Sequence, residues 1–459
     1  MKFRSPRSWI ILGLLILVLA AAPSGAAETP ATLTLKEALR LAWKANPTMK
    51  ISRLQSLIAG EEVVRARSGF LPTLKSEVSQ TIYDNEVQAK IPTGSFPGAG
   101  GGTSGRYITF PTTNRNFWGS KVYADQTIFD FWGTPSRYQA AVLGKSASLL
   151  DTAKTRDDLF LNVSKGYFST LRAQKMEIVA KQEVVDLEAH LKIARDQYEF
   201  GVVTFNDVLQ AEVSLADAKQ RLIVAKTDTI NIRSALNKVL ALPVSAPTVL
   251  KDEKLETRPW GLEEATNKAL NQRSDLKAST RRISQQEKVV TQTKSRFYPR
   301  FYTQAGLNYQ QNEFQLHDTQ WFGIFGMQWT LFSGLDTKAQ VAQAKLKVNQ
   351  LREQRQDLDG QVRLDVQNAY LKVKETADRI QVTEKAVTQA EENLRLNEER
   401  YKEQVGTATN VIDAETLLTR TRVNYWTAIY DHQMAKADLL WAMGAINALL
   451  PKDKSPNAP

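Results

Sequence analysis

The stretch YKEQVGTATNVIDAE, residues 401–415, interrupts a long, charged, helix-like sequence with a glycine and threonines. The same frame occurs earlier, without a gap, as YEFGVVTFNDVLQAE, residues 198–212. The two stretches start 203 residues apart (401 − 198), and each has Tyr first, Asp or Asn tenth and Ala-Glu last. A helix that is broken at the same place in two copies indicates an internal repeat.

The repeat covers most of the chain and defines its domains. The other matching pairs are LTLKEALRLAWKANPTMK (33–50) with GLEEATNKALNQRSDLK (261–277), SGFLPTLKSEVSQTIYDNE (68–86) with SRFYPRFYTQAGLNYQQNE (295–313), and NFWGSKVYADQTIFDFWG (116–133) with TQWFGIFGMQWTLFSGLD (319–336). Each half predicts a short helix, a helix, two strands, a very long helix and a final helix. We expect a first repeat over 28–242 with its strands at about 70–130, a second repeat over 243–450 with its strands at about 297–333, and a polar tail over 451–459.

The amino terminus and the composition restrict the compartment. Residues 1–27 have a basic start, an apolar run from Trp9 to Leu19 and a small-residue end, which is typical of a secretory signal peptide. A retained membrane anchor is the alternative, but the apolar run is short for a bilayer span. The chain has no cysteine, which excludes disulfides and a lipid-bearing cysteine. Its net charge of +11 comes from basic residues scattered among acids, so no nucleic-acid partner is expected.

Two unusually long helices are predicted. The segment from Thr134 to about Tyr198 has a helical pattern, and about 60 residues at about 1.5 Å each would span about 90 Å. Its counterpart runs from about Asp336 to Glu403. In the counterpart, apolar residues recur at every seventh position, which is typical of a coiled-coil seam. These residues are Val366, Val373, Ile380, Val387, Leu394 and Tyr401.

Alternate residues of the second strand in each half are mostly apolar, more so in the second half, and those between them are mostly polar. Such alternation over about ten residues, with aromatic residues near the ends, is typical of an outer-membrane strand. A half-buried strand of a soluble sheet shows the same alternation. We predict that the lipid-facing residues are Trp118, Val122, Trp321, Phe325, Met327 and Trp329. Four strands cannot close a barrel, because the smallest membrane barrels need about eight, so several copies must contribute.

These features together resemble the TolC family of outer-membrane efflux proteins. The resemblance rests on LTLKEALRLAWKANP, on the SGFLPTL and SRFYPRF helix-to-strand junctions, on the repeat and on the two turns, and it covers residues 33–450. It implies an α+β membrane protein with a two-fold internal repeat. Three identical protomers would each give four strands to a twelve-stranded β-barrel, which the long helices continue as a periplasmic α-helical barrel.

The resemblance also implies a function and partners. The trimer would be the passive outer-membrane exit channel of a tripartite efflux pump or a type I secretion system, and would extend into the periplasm. Its partners would be outer-membrane lipid, a periplasmic adaptor (membrane fusion) protein and an inner-membrane pump or ABC exporter. A soluble periplasmic coiled-coil scaffold or adaptor is the alternative function.

In the family the two quoted stretches are hairpin turns at the periplasmic end of the tunnel. The residues that would serve the turns are Gly201, Thr204, Gly406 and Thr407. The second hairpin would close the pore, with Asn410 and Asp413 at the constriction. Asp is usual in the family at the position of Asn410, so we expect one carboxylate ring and one amide ring. Alternatively, Asp413 only complements the dipole of a helix start.

The resemblance further implies a latch between the hairpins that holds the closed state. Tyr401 and Asp207 occupy latch positions, and Asn206 lies beside them. The basic partner present in some family members falls on Gly406, so we expect an incomplete latch. Alternatively, Tyr401 is only the last residue of its heptad seam.

No catalytic, metal or cofactor site is predicted. The three histidines, His190, His317 and His432, share no metal-binding spacing. The sequence GAGGG (98–102) lacks the following Lys and helix of a phosphate-binding loop. We therefore expect the glycine-rich segment 91–105 to be an external loop.

Overall fold

The computed structural model describes residues 32–92 and 107–450. The predicted signal peptide, most of the glycine-rich segment and the predicted tail lie outside these residues. Within the two described ranges, no helix is long and apolar enough to cross a membrane.

Apart from two additional strands in the first half, the two halves of the chain contain the same succession of helices and strands. The first half consists of α1 (Leu35–Ala45), α2 (Pro47–Arg67), β1 (Thr73–Ile82), β2 (Val87–Pro92), β3 (Tyr107–Thr113), β4 (Asn116–Phe129), α3 (Gly133–Glu199) and α4 (Phe205–Leu240). The second half consists of α5 (Leu262–Gln272), α6 (Ser274–Lys294), β5 (Arg300–Gln310), β6 (Thr319–Gln328), α7 (Asp336–Lys402) and α8 (Ala408–Ala442). The predicted order of elements is present, and the strands β2 and β3 are an addition that the sequence did not predict.

The long helices α3 and α7 are equivalent in the two copies of the repeat along their whole length. Each has 67 residues, and both their first and their last residues are 203 positions apart (336 − 133 and 402 − 199). At about 1.5 Å per residue, each helix is about 100 Å long. The helices α4 and α8 also begin 203 positions apart (408 − 205) and pack against the long helix of their own half. The repeat is therefore a repeat of whole helical hairpins.

The four long strands form one antiparallel sheet in the order β1-β4-β5-β6. The predicted pairs β1 with β4 and β5 with β6 are present, and the pairing of β4 with β5 joins the two halves. The last strand, β6, ends at Gln328 and is therefore shorter than predicted. The open edges of the sheet are β1 and β6.

The strands β2 and β3 form a separate hairpin on either side of the glycine-rich segment. Ile91 and Pro92, which the sequence assigned to the external loop, belong to β2. The Nδ2 atom of the buried Asn312 donates a hydrogen bond to the carbonyl of Thr112 at 3.0 Å. This contact attaches the added hairpin to the connection between β5 and β6.

The main apolar core lies where the short helices pack against the long ones. Its large, fully buried side chains include Leu39, Met49, Tyr167, Phe168 and Tyr430. The hydroxyl of Tyr167 donates to the carbonyl of Lys251 and lies 3.1 Å from the carbonyl of Leu33. Leu33 also forms a parallel bridge with Leu250. The core therefore connects the start of the chain, the link between the halves and the helix α3.

Candidate functional site

One face of the four-stranded sheet is apolar and exposed. Directly opposed residues of an antiparallel pair share a face, and Leu307 is opposed to both Val122 and Trp321. Continuing this register adds further residues to the same face, which are Leu74, Val78, Ile82, Trp118, Phe325 and Met327. Leu307 is partly buried, and the other eight residues of this face are exposed, from 40% for Val122 to 81% for Trp321. Five of the six residues predicted to face lipid thus form one surface.

Trp329, the sixth residue, does not belong to this row. It lies beyond the end of β6, and its indole Nε1 donates to the carbonyl of Phe297 at 3.1 Å. Trp329 is therefore not a residue of β6, and its contact with lipid stays a prediction. It lies instead at the junction of sheet and helices, where it is 51% exposed.

The opposite face of the sheet is mostly polar, although Phe322 and Ile324 also lie on it. The hydroxyl of the buried Tyr123 donates to Glu77 at 2.7 Å, and Lys121 Nζ lies 4.5 Å from the centre of the Tyr123 ring. The amide of Gln304 donates to Asp125 at 3.2 Å. The two faces are therefore chemically opposite: one suits an apolar environment and the other suits water.

The first hairpin turn ends α3 with a complete Schellman motif. Gly201 has φ +70°, its N–H donates to the carbonyl of Tyr198, and Val202 N–H donates to that of Gln197. Thr204 then caps α4, because its backbone N and its hydroxyl both donate to the carboxylate of Asp207, at 2.9 and 2.8 Å. Gly201 and Thr204 therefore serve the turn in the way the resemblance implies.

The second turn has the same hydrogen bonds but different residues. Gln404 N–H donates to the carbonyl of Tyr401, and Val405 N–H donates to that of Arg400. The left-handed position is Gln404, at φ +63°, and Gly406 follows it two residues later in the same turn. Gly406 allows a close approach to the end of α7, since a Cβ on it would lie 3.2 Å from the backbone nitrogen of Tyr401.

Thr407 begins α8 by accepting a hydrogen bond from the backbone N–H of Asn410 at 3.3 Å. The side chains of Asn410 and Asp413 are both exposed in the first turns of this helix. Because residues three apart are neighbours on a helix surface, the two polar groups share one face. The predicted constriction residues therefore lie side by side at the tip of the second hairpin.

The predicted latch residues do not form a hydrogen bond with one another in this structure. Tyr401 is 4% exposed, and its hydroxyl has no hydrogen-bond partner among the described residues. The carboxylate of Asp207 is used in the cap of α4. Burial raises the pKa of Tyr401, and the negative charge of Asp207 raises it further. Asn206 is exposed.

The hairpins are joined instead by residues that the sequence did not single out. The hydroxyl of Thr409, which is the counterpart of Asn206 in the repeat (409 − 206 = 203), donates to the side chain of Gln210 at 3.1 Å. The ring of His190 on α3 packs against the ring of Tyr401, with centres 5.2 Å apart. The alignment of the two repeats could have identified Thr409 as a contact between the hairpins, but no feature of the sequence identifies His190 as one.

No group of three or more His, Cys, Asp or Glu residues within 32–92 and 107–450 is arranged to hold a metal ion.

A pair of long helical hairpins attached to a sheet with one exposed apolar face is the architecture of an outer-membrane channel protomer. The chain belongs to the outer membrane efflux protein family, which it matches over residues 38–242 and 265–445. The family resemblance inferred from the sequence is thereby confirmed.

Known relatives agree with this assignment. Outer membrane protein TolC of Escherichia coli (strain K12) is 27% identical over 229 residues, which are 45% of this chain and 43% of that protein, so the match spans less than half of the relative's length. A solved membrane protein from Pseudomonas aeruginosa has a TM-score of 0.76 and 16% identity, covering 89% of this chain and 90% of its own. The outer membrane protein VceC from Vibrio cholerae has a TM-score of 0.75 and 18% identity, covering 89% and 96%. The solved structures share the fold.

Proposed function

We propose that the chain is the outer-membrane exit channel of a tripartite efflux pump or a type I secretion system. The four-stranded sheet is the observation that supports this proposal most strongly. Its edges β1 and β6 are open to pairing with other copies, and exposed strand edges are ready templates for such pairing. Three copies, the number the family resemblance implies, would supply twelve strands, which is above the minimum of about eight for a membrane barrel.

The chemistry of the two faces of the sheet supports a barrel with its apolar face towards lipid and its polar face towards water. The exposed row that contains Phe325 and Trp321 would contact lipid, and the face that carries Lys121, Glu77 and Asp125 would line a water-filled interior. Alternation of this kind, apolar outside and polar inside, is what membrane barrels require.

The helices support a tunnel that is closed at its far end. Hairpins of about 100 Å would extend the barrel into the periplasm. Asn410 and Asp413 would ring the entrance, and Tyr401, Asp207 and Asn206 would hold the two hairpins together in the closed state. The channel itself would be passive. The energy would come from an inner-membrane pump or ABC exporter, which a periplasmic adaptor connects to the trimer.

A soluble scaffold is the less favoured function. It would leave the apolar row on the sheet facing water, and soluble monomers rarely expose a continuous apolar patch of this kind. Membrane fractionation separates the two functions. Trimers that resist detergent in the outer-membrane fraction support the channel, whereas monomers in the soluble periplasmic fraction would contradict it.

A further inference from the structure

The two hairpins differ at one charged pair. In the first hairpin, Arg195 of α3 and Glu212 of α4 form an ion pair of 2.6 Å, with both side chains about half exposed. The same positions in the second hairpin, 203 residues later, are Glu398 of α7 and Glu415 of α8. A cation and an acid are thus replaced by two acids.

Glu415 is also buried, unlike its counterpart. It is 4% exposed, and its Oε1 atom has no hydrogen-bond partner among the described residues. A buried carboxylate without a partner is costly in its ionised form, so it tends to bind a proton.

The groups that face Glu415 do not supply the missing cation. From α3, Asp186 and Glu183 face it, and Glu183 is bound by Arg221 of α4 at 2.9 Å. From α7, Glu398 faces it. On α8 itself, Arg422 is the nearest cation, but it pairs with Glu391 of α7 at 3.1 Å.

These surroundings decide the protonation state of Glu415. Burial, followed by the charge of Asp186, raises the pKa of Glu415 to about 7, and Arg422 opposes the shift only in part. His190, further along α3, has a pKa lowered by burial, so its buried position favours the neutral ring.

We propose that Glu415 makes the packing of the second hairpin against the first depend on proton binding. The packed arrangement holds the neutral carboxyl, and ionisation drives α8 away from α3, towards water and away from Asp186. This inference rests on the proposed function in one respect: the separation would serve to open the periplasmic entrance.

The direction of the pH dependence follows from the raised pKa. The packed arrangement binds more protons than the separated one, in which Glu415 titrates near its ordinary value of 4.5. The packing is therefore fully favoured below the ordinary value and loses stability as the pH rises towards 7. Between about pH 6 and about pH 8, the ratio of packed to separated hairpins should fall about tenfold.

A distance measurement within one chain tests this inference. The chain has no cysteine, so Ala189→Cys on α3 and Thr416→Cys on α8, both at exposed positions, give two unique sites for spin labels. In the full-length protein, the population of longer distances should rise about tenfold relative to the short one from about pH 6 to about pH 8. Glu415→Gln should keep the short distance at both pH values, and the matched variant Glu212→Gln should keep the wild-type response.

A second variant keeps the inference testable if Glu415→Gln does not fold. Glu398→Arg recreates the pair of the first hairpin and should move the transition to lower pH, because a nearby cation favours the ionised carboxyl. A distance between the labels that does not depend on pH would overturn the inference. So would a pH dependence that persists in Glu415→Gln, or a transition that Glu398→Arg does not shift. The distance is measured whether or not the protein conducts ions. A normal pH response in a chain that forms no channel would therefore contradict the proposed function alone.

Discussion

Gln404 occupies in the second hairpin turn the left-handed position that Gly201 occupies in the first. Their φ angles are +63° and +70°, and the two residues are 203 positions apart. Each donates its N–H to the tyrosine that opens its own copy of the repeated stretch, Tyr401 or Tyr198. A left-handed conformation costs about 1 kcal/mol for a residue with a Cβ, a cost that glycine avoids. The second turn is therefore the strained one.

Gln404→Gly should relieve this strain. We expect the second turn to become more stable by about 1 kcal/mol, since the hydrogen bonds stay and only the side chain is removed. Hydrogen exchange at the backbone amides of position 404 and of Val405 should slow accordingly. The matched change, Gly201→Gln, should speed exchange at Val202 by a similar factor. Unchanged exchange in both variants would contradict the equivalence of the two turns.

Asn410→Asp should complete the cap of α8. In the first hairpin, the carboxylate of Asp207 accepts from both the N–H and the hydroxyl of Thr204. The counterparts in the second hairpin are Asn410 and Thr407, and an amide accepts less well than a carboxylate. We expect a gain of about 0.5–1 kcal/mol in the stability of the first turn of α8.

Hydrogen exchange at the first amides of α8 measures this effect. The reverse change in the first hairpin, Asp207→Asn, should weaken the start of α4 by a similar amount. If Asp207→Asn leaves exchange unchanged, the capping box contributes nothing and the expected gain from Asn410→Asp is unfounded.

A charged side chain should destabilise the protein on the apolar face of the sheet, whereas the opposite face should tolerate one. Phe325 is 73% exposed in the middle part of β6, and Phe325→Arg should cost about 2–4 kcal/mol if the residue contacts the bilayer interior. The neighbouring Ile324 lies on the opposite face, opposed to Gln304, and Ile324→Arg is the matched control.

The yield of trimers in the outer membrane measures the difference between these variants. We expect a large loss for Phe325→Arg and a yield near that of wild type for Ile324→Arg. The reverse order would show that the faces are assigned the wrong way round.

The sequence predicted the parts of this protein that depend on local patterns. The frame of 203 residues, the long helices and the alternating strands are present in the structure because helical and strand periodicities are local properties. The register of β4 with β5 was not predicted, since it joins residues that are far apart in the sequence.

Neither the left-handed residue of the second turn nor the burial of Glu415 could be predicted from the sequence, and the reasons differ. The left-handed residue of the second turn, Gln404, is counted from the end of α7, which a periodic pattern locates only to within a residue or two. The burial of Glu415 has no signal in the sequence, because Glu is rarely buried. Its burial depends on packing against α3, which is more than 200 positions away in the sequence.

Ion conductance through purified protein in a lipid bilayer tests the central claim most directly. Three copies of Asp413 around a narrow wet entrance would be poorly screened, so the channel should prefer cations and be blocked by trivalent cations from the periplasmic side. Asp413→Asn should lower the preference and abolish the block with unchanged trimer yield, whereas Asp196→Asn, which removes an exposed acid at the end of α3, should preserve both. A protein that forms no channels, or a trivalent block that persists in Asp413→Asn, would contradict the account.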